Sequence, residues 1–387
     1  MSVTAVRGFV ASGVACGIKP SGDPDLALVA TGDAKPVPAA AVFTSNKAAA
    51  APVAVSRAHL QSSGGKAAAV VLNSGSANAA TGARGNDDAE RMCAAVAEHL
   101  GCGPEDVLVC STGLIGFPLP MPAVEAGVAK AATALSPDGG RAAADAIRTT
   151  DSFSKQTRVE VGACLVGGMA KGAAMLAPDM ATMLAVLTTN AAAHPTVLHA
   201  ALTAAVADSF NALSVDGCTS TNDTVIVLGA GRGPDVPLQA LQEALARACA
   251  DLASQMAADA EGATKTVRVK VTGAYSVEEA RRAARKVAES QLVKCSLHGE
   301  DPYWGRIVSE LGSAGVHFEP EMVEVAYGGV AVCEAGVAVD HDAAEVSRHL
   351  AQRDVQVTAN LGVGTGEAVV LTNDLTPAYI EENKRTS

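Results

Sequence analysis

The segment "KGAAMLAPDMATMLAVLTTNA", Lys171–Ala191, is an apolar run interrupted in its middle. Pro178-Asp179 makes a break, and Met-Ala-Thr-Met-Leu follows it. The part after the break suits a strand buried on both faces. Two readings of Thr182 stand. It is a core residue after a turn, or Ala181-Thr182 is a bond to be cut and Thr182 is a nucleophile. A hydroxyl is a poor nucleophile at neutral pH. An N-terminal Thr brings its own base, because its α-amine has a pKa of about 8 and sits beside the hydroxyl. Exposing that amine on an internal Thr requires cleavage. Attack of the Thr hydroxyl on the preceding carbonyl gives an ester that water opens. A small residue at 181 and a strained turn at 178–179 suit that step.

Outward from this segment, β-like runs alternate with helical ones. "ALVA" (27–30), "AAAVFT" (39–44) and "KAAAVVLNSG" (66–75) read as buried strands. "NDDAERMCAAVAEHLG" (86–101) reads as a helix, with Asn86 as cap and Gly101 as stop. "RVEVGACLVGGMAKG" (158–172) reads as two strands around a Gly turn, and "LQALQEALARACADLASQMAADAEG" (238–262) as a long helix. In "TKTVRVKVTGA" (264–274), Val267, Val269 and Val271 share one face. Hairpin-like pairs among helices point to mixed α/β with antiparallel pairing, not a doubly wound sheet. We expect a catalytic part at 1–263 and a smaller α/β domain at 264–387.

Composition narrows the function. The chain has 387 residues, 49% of them apolar, and a net charge of −12. That charge argues against a nucleic-acid partner. No apolar run is long enough to span a bilayer, and no export signal opens the chain. Nine cysteines stand singly without a CxxC pair, which suggests reduced thiols in the cytoplasm rather than a disulfide frame or zinc site. The eight histidines are dispersed, so no metal is expected, and His298 reads as a hydrogen-bonded loop residue.

Four loops carry polar groups that could build a site. "STG" at Ser111–Gly113 ends a strand, where a Thr hydroxyl and a Gly N–H can aim at one developing oxyanion. An ordinary turn uses the same residues. "NSGSANAATG" (73–82) and "VDGCTSTNDTV" (215–225) are equally ambiguous. "HGEDPYWGR" (298–306) offers Glu300 and Asp301 as candidate acid/base groups. "GVGTGE" (362–367) imitates a phosphate loop, but a strand follows it, so a turn is expected.

Taken together, these segments resemble the ornithine acetyltransferases, also called glutamate N-acetyltransferases. "KGAAMLAPDMATML" matches the family signature. "RGFVASGVACGIKPSGDPDLALV", "VFTSNKAAAAPV", "VLNSGSANAATG", "CSTGLIG", "TTDSF", "FNALSVDGCTSTNDT", "DAEGATK", "HGEDPYWGR" and "NDLTPAYIEEN" agree in the same order. The resemblance covers essentially the whole chain. It implies an αββα-type sandwich like that of N-terminal-nucleophile hydrolases. It implies self-cleavage between Ala181 and Thr182, with two α and two β chains assembled. The implied reaction is ping-pong transfer of acetyl from N2-acetylornithine to Thr182 and then to glutamate, without a cofactor; some members also accept acetyl-CoA.

Mapped onto this sequence, the resemblance makes Thr182 the nucleophile. Thr112 and Gly113 become the oxyanion pair and Glu300 the carboxylate near the reacting amine. Thr150, Lys171, Thr182, Glu300, Asn383 and Ser387 become substrate contacts. Ala174, Ala80 and Tyr303 stand where Gly, Cys and Asn are usual, and Tyr303 is expected to narrow the pocket. The tail after Asn383 is one residue short, so Thr386 competes with Ser387 for the terminal hydroxyl. The alternatives are a related acyltransferase of secondary metabolism, or an amidase or aminopeptidase using Thr182.

Overall fold

Strands buried on both faces and amphipathic helices leave this chain a layered arrangement, and the computed structural model shows which layers form. It describes residues 2–175, 183–231, 233–234 and 236–384. The first part contains β1 (Phe9–Val14), β2 (Leu26–Thr31), β3 (Val37–Phe43), α1 (Ala51–Ser62), β4 (Lys66–Ala67), β5 (Ala69–Ser76), α2 (Gly82–Leu100), β6 (Val107–Leu114), α3 (Met121–Thr133) and α4 (Gly140–Ala146). Then come β7 (Lys155–Val161), β8 (Cys164–Lys171), β9 (Leu184–Thr189), α5 (Pro195–Ala207), β10 (Thr224–Gly229) and α6 (Leu238–Ala258). The last part contains β11 (Thr266–Ala274), α7 (Val277–Glu289), α8 (Gln291–His298), α9 (Gly305–Gly312), β12 (Glu324–Tyr327), β13 (Val330–Glu334), β14 (Val337–Ala338), α10 (Ala343–Leu350), β15 (Asp354–Asn360), β16 (Gly366–Asn373) and α11 (Pro377–Asn383).

Two sheets stack face to face. The first has the order β1-β2-β5-β6 and the second β4-β3-β10-β9-β8-β7. Ala27, Val29, Val70, Leu72 and Leu108 of the first meet Met169, Leu184, Val186, Ile226 and Leu228 of the second in one core. The outer face of the first sheet buries α1, α2 and α3 through Val55, Met92, Val96, Val124 and Val128. The outer face of the second buries α5 and α6 through Leu198, Leu202, Leu245 and Leu252. The layers are therefore α, β, β, α. Strands β2, β9 and β10 are buried at every position, because each lies inside a sheet covered on both faces. This is why they read as continuous apolar runs rather than alternating ones.

The third sheet, β14-β13-β12-β15-β11-β16, has a core of its own with α7, α8, α9 and α10. Val267, Val269 and Val271 face that core together. The two parts are stitched by polar bonds. Ser214 N–H donates to Leu371 O at 2.8 Å, Lys294 Nζ to Val215 O at 2.7 Å and Asn373 Nδ2 to Ala257 O at 2.8 Å. Residues 362–365 turn between β15 and β16, as the following strand required.

Two sequence expectations change. "KAAAVVLNSG" is not one strand. β4 pairs with β3 in the second sheet, β5 pairs with β2 in the first, and Ala68 between them donates to Asp106 O at 2.7 Å. The apolar run continues because both pieces are buried, while the hydrogen-bond partners switch. Asn86 does not cap α2, which starts at Gly82. Thr81 Oγ1 donates to Asn78 Oδ1 and Asn78 Nδ2 donates to Gly85 O, both at 2.8 Å, so the preceding loop organises the first turn. Gly101 does end it, at φ 75°.

Candidate active site

The ambiguous loops of the sequence converge at one end of the sandwich. β5 and β6 run parallel, with Asn73, Ser74 and Gly75 opposite Ser111, Thr112 and Gly113. Ser111 Oγ donates to Asn73 Oδ1 at 2.5 Å. From the loop before β10, Asn222 Nδ2 donates to Ala77 O at 2.6 Å and to Ser111 O at 2.9 Å. One buried amide thus fixes three loops against each other. Gly113 has φ 130°, and a Cβ there would lie 2.3 Å from the Gly75 carbonyl carbon. Only glycine allows the two strands to approach so closely.

Lys171 ends β8 directly behind this loop. It is buried, and its Nζ donates to Thr112 Oγ1 at 3.2 Å. Because the ammonium fills an acceptor site on that oxygen, the Thr112 hydroxyl proton remains free to point elsewhere. Burial pulls the Lys171 pKa below the usual lysine value, while the charge of Asp151 opposes the fall. Asp151 accepts from Lys155 Nζ and from Gly172 N–H, each at 2.7 Å, and from Thr149 N–H at 3.1 Å. Burial alone would raise its pKa, but the Lys171 and Lys155 charges and these donors outweigh burial and hold it at about 2. Lys155 continues to Asp259 at 2.5 Å, so a buried chain of alternating charge supports the ammonium from below.

Strand β9 brings the other side of the site. Lys171 pairs with Leu184 across β8 and β9. Ala181 and Thr182 lie outside the described residues, as does Ser387. Met183, bonded to Thr182, is held by its N–H to Asp223 Oδ1 at 2.8 Å and by its carbonyl to Thr224 N–H at 3.1 Å.

The other predicted residues divide into two groups. Glu261 N–H donates to Ala173 O at 3.0 Å, which places this buried carboxylate beside the end of β8. Asn383, at the end of α11, donates from Nδ2 to Glu261 Oε2 at 2.7 Å. Asn383 therefore joins the Lys171 side of the site. Thr150 is exposed next to Asp151. Among the described residues, no hydrogen bond links Glu300 to these groups. Its carboxylate is 45% exposed and bonds Lys265 Nζ at 3.1 Å, on an ammonium that also donates to Leu350 O. Tyr303 is likewise exposed, with Arg306 over its ring. His298 Nδ1 bonds Asp374 Oδ2 at 3.0 Å, and no group among the described residues is arranged to hold a metal ion.

Asp151, Lys155, Asp223, Asp259 and Glu261 are the residues the sequence reading passed over. Glu261 and Asp223 lay inside "DAEGATK" and "VDGCTSTNDTV", both already singled out, but nothing in those strings separates a site carboxylate from a turn residue.

The ArgJ family profile matches residues 10–386. The chain belongs to the ArgJ family. The arginine biosynthesis bifunctional protein ArgJ of Streptomyces avermitilis is 47% identical over 389 residues, covering 100% of both chains. The protein of that name from Mycobacterium tuberculosis H37Rv is 48% identical over 394 residues, covering 100% of this chain and 96% of the relative. Among solved structures, ornithine acetyltransferase complexed with ornithine from Mycobacterium tuberculosis is 46% identical, covers 46% of this chain and 94% of its own, and has a TM-score of 0.42. Family membership makes the chain an acyltransferase of arginine biosynthesis. No helix among the described residues is long and apolar enough to cross a membrane.

Proposed function

We propose that the chain cuts itself between Ala181 and Thr182, and that Thr182 then carries acetyl from N2-acetylornithine to glutamate in a ping-pong cycle. The observation that carries this reading is the Lys171–Thr112 contact at 3.2 Å, on the strand end that leads into the Thr182 segment. The ammonium leaves the Thr112 hydroxyl free to donate, and Gly113 adds an N–H beside it. Two donors behind a fixed positive charge suit the oxyanion that forms when a hydroxyl adds to an acyl carbon. In the first half-reaction the Thr182 hydroxyl loses its proton to its own α-amine and attacks the acetyl carbonyl. Ornithine leaves as the amine, and acetyl remains as an ester on Thr182. In the second, the glutamate amine attacks that ester and Thr182 is released.

Donor and acceptor share an α-amine and an α-carboxylate. Lys171 is the cation for the shared carboxylate. Glu261, bonded to Asn383 and next to Ala173, is better placed than Glu300 to receive the shared amine. Thr150 and the C-terminal hydroxyl, Ser387 or Thr386, complete the contacts. We further assign residues 1–263 to the catalytic sandwich and 264–387 to a smaller domain that returns α11 to the site. The active form is an assembly of two α and two β chains. It works in the cytoplasm, consistent with nine free thiols, and uses no cofactor. Incubation with N2-acetylornithine alone, followed by peptide mass analysis, tests the reading. Acetyl on Thr182, discharged by glutamate, is expected. Acetate release that ignores glutamate would make the chain an amidase.

A further inference from the structure

The reaction described so far leaves a buried acid beside the Thr182 segment without a role. Asp223 is fully buried on the residue preceding β10. Its Oδ1 accepts the Met183 N–H at 2.8 Å, and among the described residues its Oδ2 is within hydrogen-bond distance of no donor. A buried carboxyl oxygen without a donor is costly, and an apolar or amide side chain would avoid that cost. Stability alone gives no reason for an acid here.

We propose that Asp223 is a positioning residue for Thr182, a carboxyl that fixes the Met183 backbone and so aims the neighbouring hydroxyl and α-amine at the acyl carbon. The inference rests on the reading of Thr182 as nucleophile. Three observations support it. Consecutive residues 223 and 224 grip both backbone polar groups of Met183, one through a side chain and one through its N–H. The gripping loop is itself rigid: Thr44 N–H donates to Asp223 O at 2.9 Å, and Asn222 bonds the carbonyls of Ala77 and Ser111. Ser111 immediately precedes Thr112. The loop therefore ties the oxyanion donors to the residue after the nucleophile, and sets the spacing between them.

A neutral form would suit the chemistry, and burial pushes toward it. Burial raises the Asp223 carboxyl well above the usual range, while the Met183 N–H, the Lys171 charge and the Ser220 side chain oppose it. An anionic carboxylate one residue from the Thr182 amine would hold that amine protonated. A protonated amine cannot take the hydroxyl proton. A neutral carboxyl supplies the hydrogen bond without that charge.

The test compares Asp223→Asn, Asp223→Ala and Thr182→Ala in the full chain. Intact mass gives the fraction cut, and kcat and KM for N2-acetylornithine and glutamate are measured on cut protein. Ala removes the grip, and a misplacement on the order of 1 Å costs about 10²-fold in kcat, with KM little changed. Asn keeps an acceptor for Met183 N–H and stays neutral, so it recovers at least about ten-fold of that loss. An Asn variant as slow as Ala would overturn the proposal, since negative charge would then be the working feature. An Ala variant with wild-type kcat would also overturn it. Should Ala fail to fold by circular dichroism, Asn alone decides: a folded, inactive Asn variant refutes the positioning role. Activity in Thr182→Ala would instead overturn the nucleophile reading, independently of Asp223.

Discussion

Asp151→Asn isolates the charge beneath Lys171. The native carboxyl is held at about 2 against an ordinary 3.8. At about 1.4 kcal/mol per tenfold change in proton affinity, that depression is worth about 2 kcal/mol of folded-state stability. The group is buried, so solvent screening removes little of it. Because the folded pKa is depressed, the stabilisation is fully present above the unfolded pKa near 3.8. It is lost as pH falls toward about 2. Asn keeps an acceptor for Gly172 N–H and leaves Lys155 paired with Asp259. Lys171 loses its anion, and burial already disfavours its charge. The destabilisation at pH 7 is therefore at least the linkage figure, about 2–4 kcal/mol. Urea unfolding of wild type and variant at pH 7, 4 and 2.5 measures it. With a slope of about 2–3 kcal/mol per molar, the midpoint should fall by on the order of 1 M at pH 7. The linkage part of the gap should shrink to about a third of its pH 7 size by pH 2.5. Equal midpoints at pH 7, or a gap unchanged by pH, would refute the argument that ionised Asp151 stabilises the buried lysine pair.

Further outcomes follow from the same geometry. Thr182→Ala should leave a single uncut, inactive chain on a denaturing gel, where wild type gives fragments of residues 1–181 and 182–387. Thr112→Ala should fold normally and lose about 10²–10³-fold in kcat, as removal of one oxyanion donor does; a change of only a few-fold would leave Thr112 as a turn residue. Glu261→Gln should raise KM for both amino acids, while Glu300→Gln should leave it near wild type; the reverse pattern would restore Glu300 to the site. Gly113→Ala should lower thermal stability by several degrees, since its Cβ would have to displace backbone at Gly75.

Much of the fold was written locally. Runs such as "TVIVLGAG" are apolar at every position because both faces of β10 are covered, and that pattern survives without knowledge of the partner strand. Helix ends were legible where one residue controls the backbone, as at Gly101, and illegible where a side chain upstream controls it, as Asn78 and Thr81 do for α2. The switch of "KAAAVVLNSG" between two sheets left no mark, because burial is the same in both and only the hydrogen-bond partners differ.

The same division holds for the site. The family resemblance of short ordered strings picked out Thr112, Gly113, Lys171, Thr182 and Glu300, where the residues by themselves left an ordinary turn or a core position equally open. It named Glu300 and passed over Glu261, both acids in glycine-containing loops. The tertiary structure gives them different surroundings: Glu261 is buried against the end of β8 and bonded to Asn383, whereas Glu300 lies half in solvent on Lys265. Asp151 and Asp223 were equally silent, for the same reason. A carboxyl acquires its charge state from the cations, donors and solvent around it, and those come from strands far apart in the chain. The identity of an acid is a property of the sequence, but its protonation and its reach are properties of the fold.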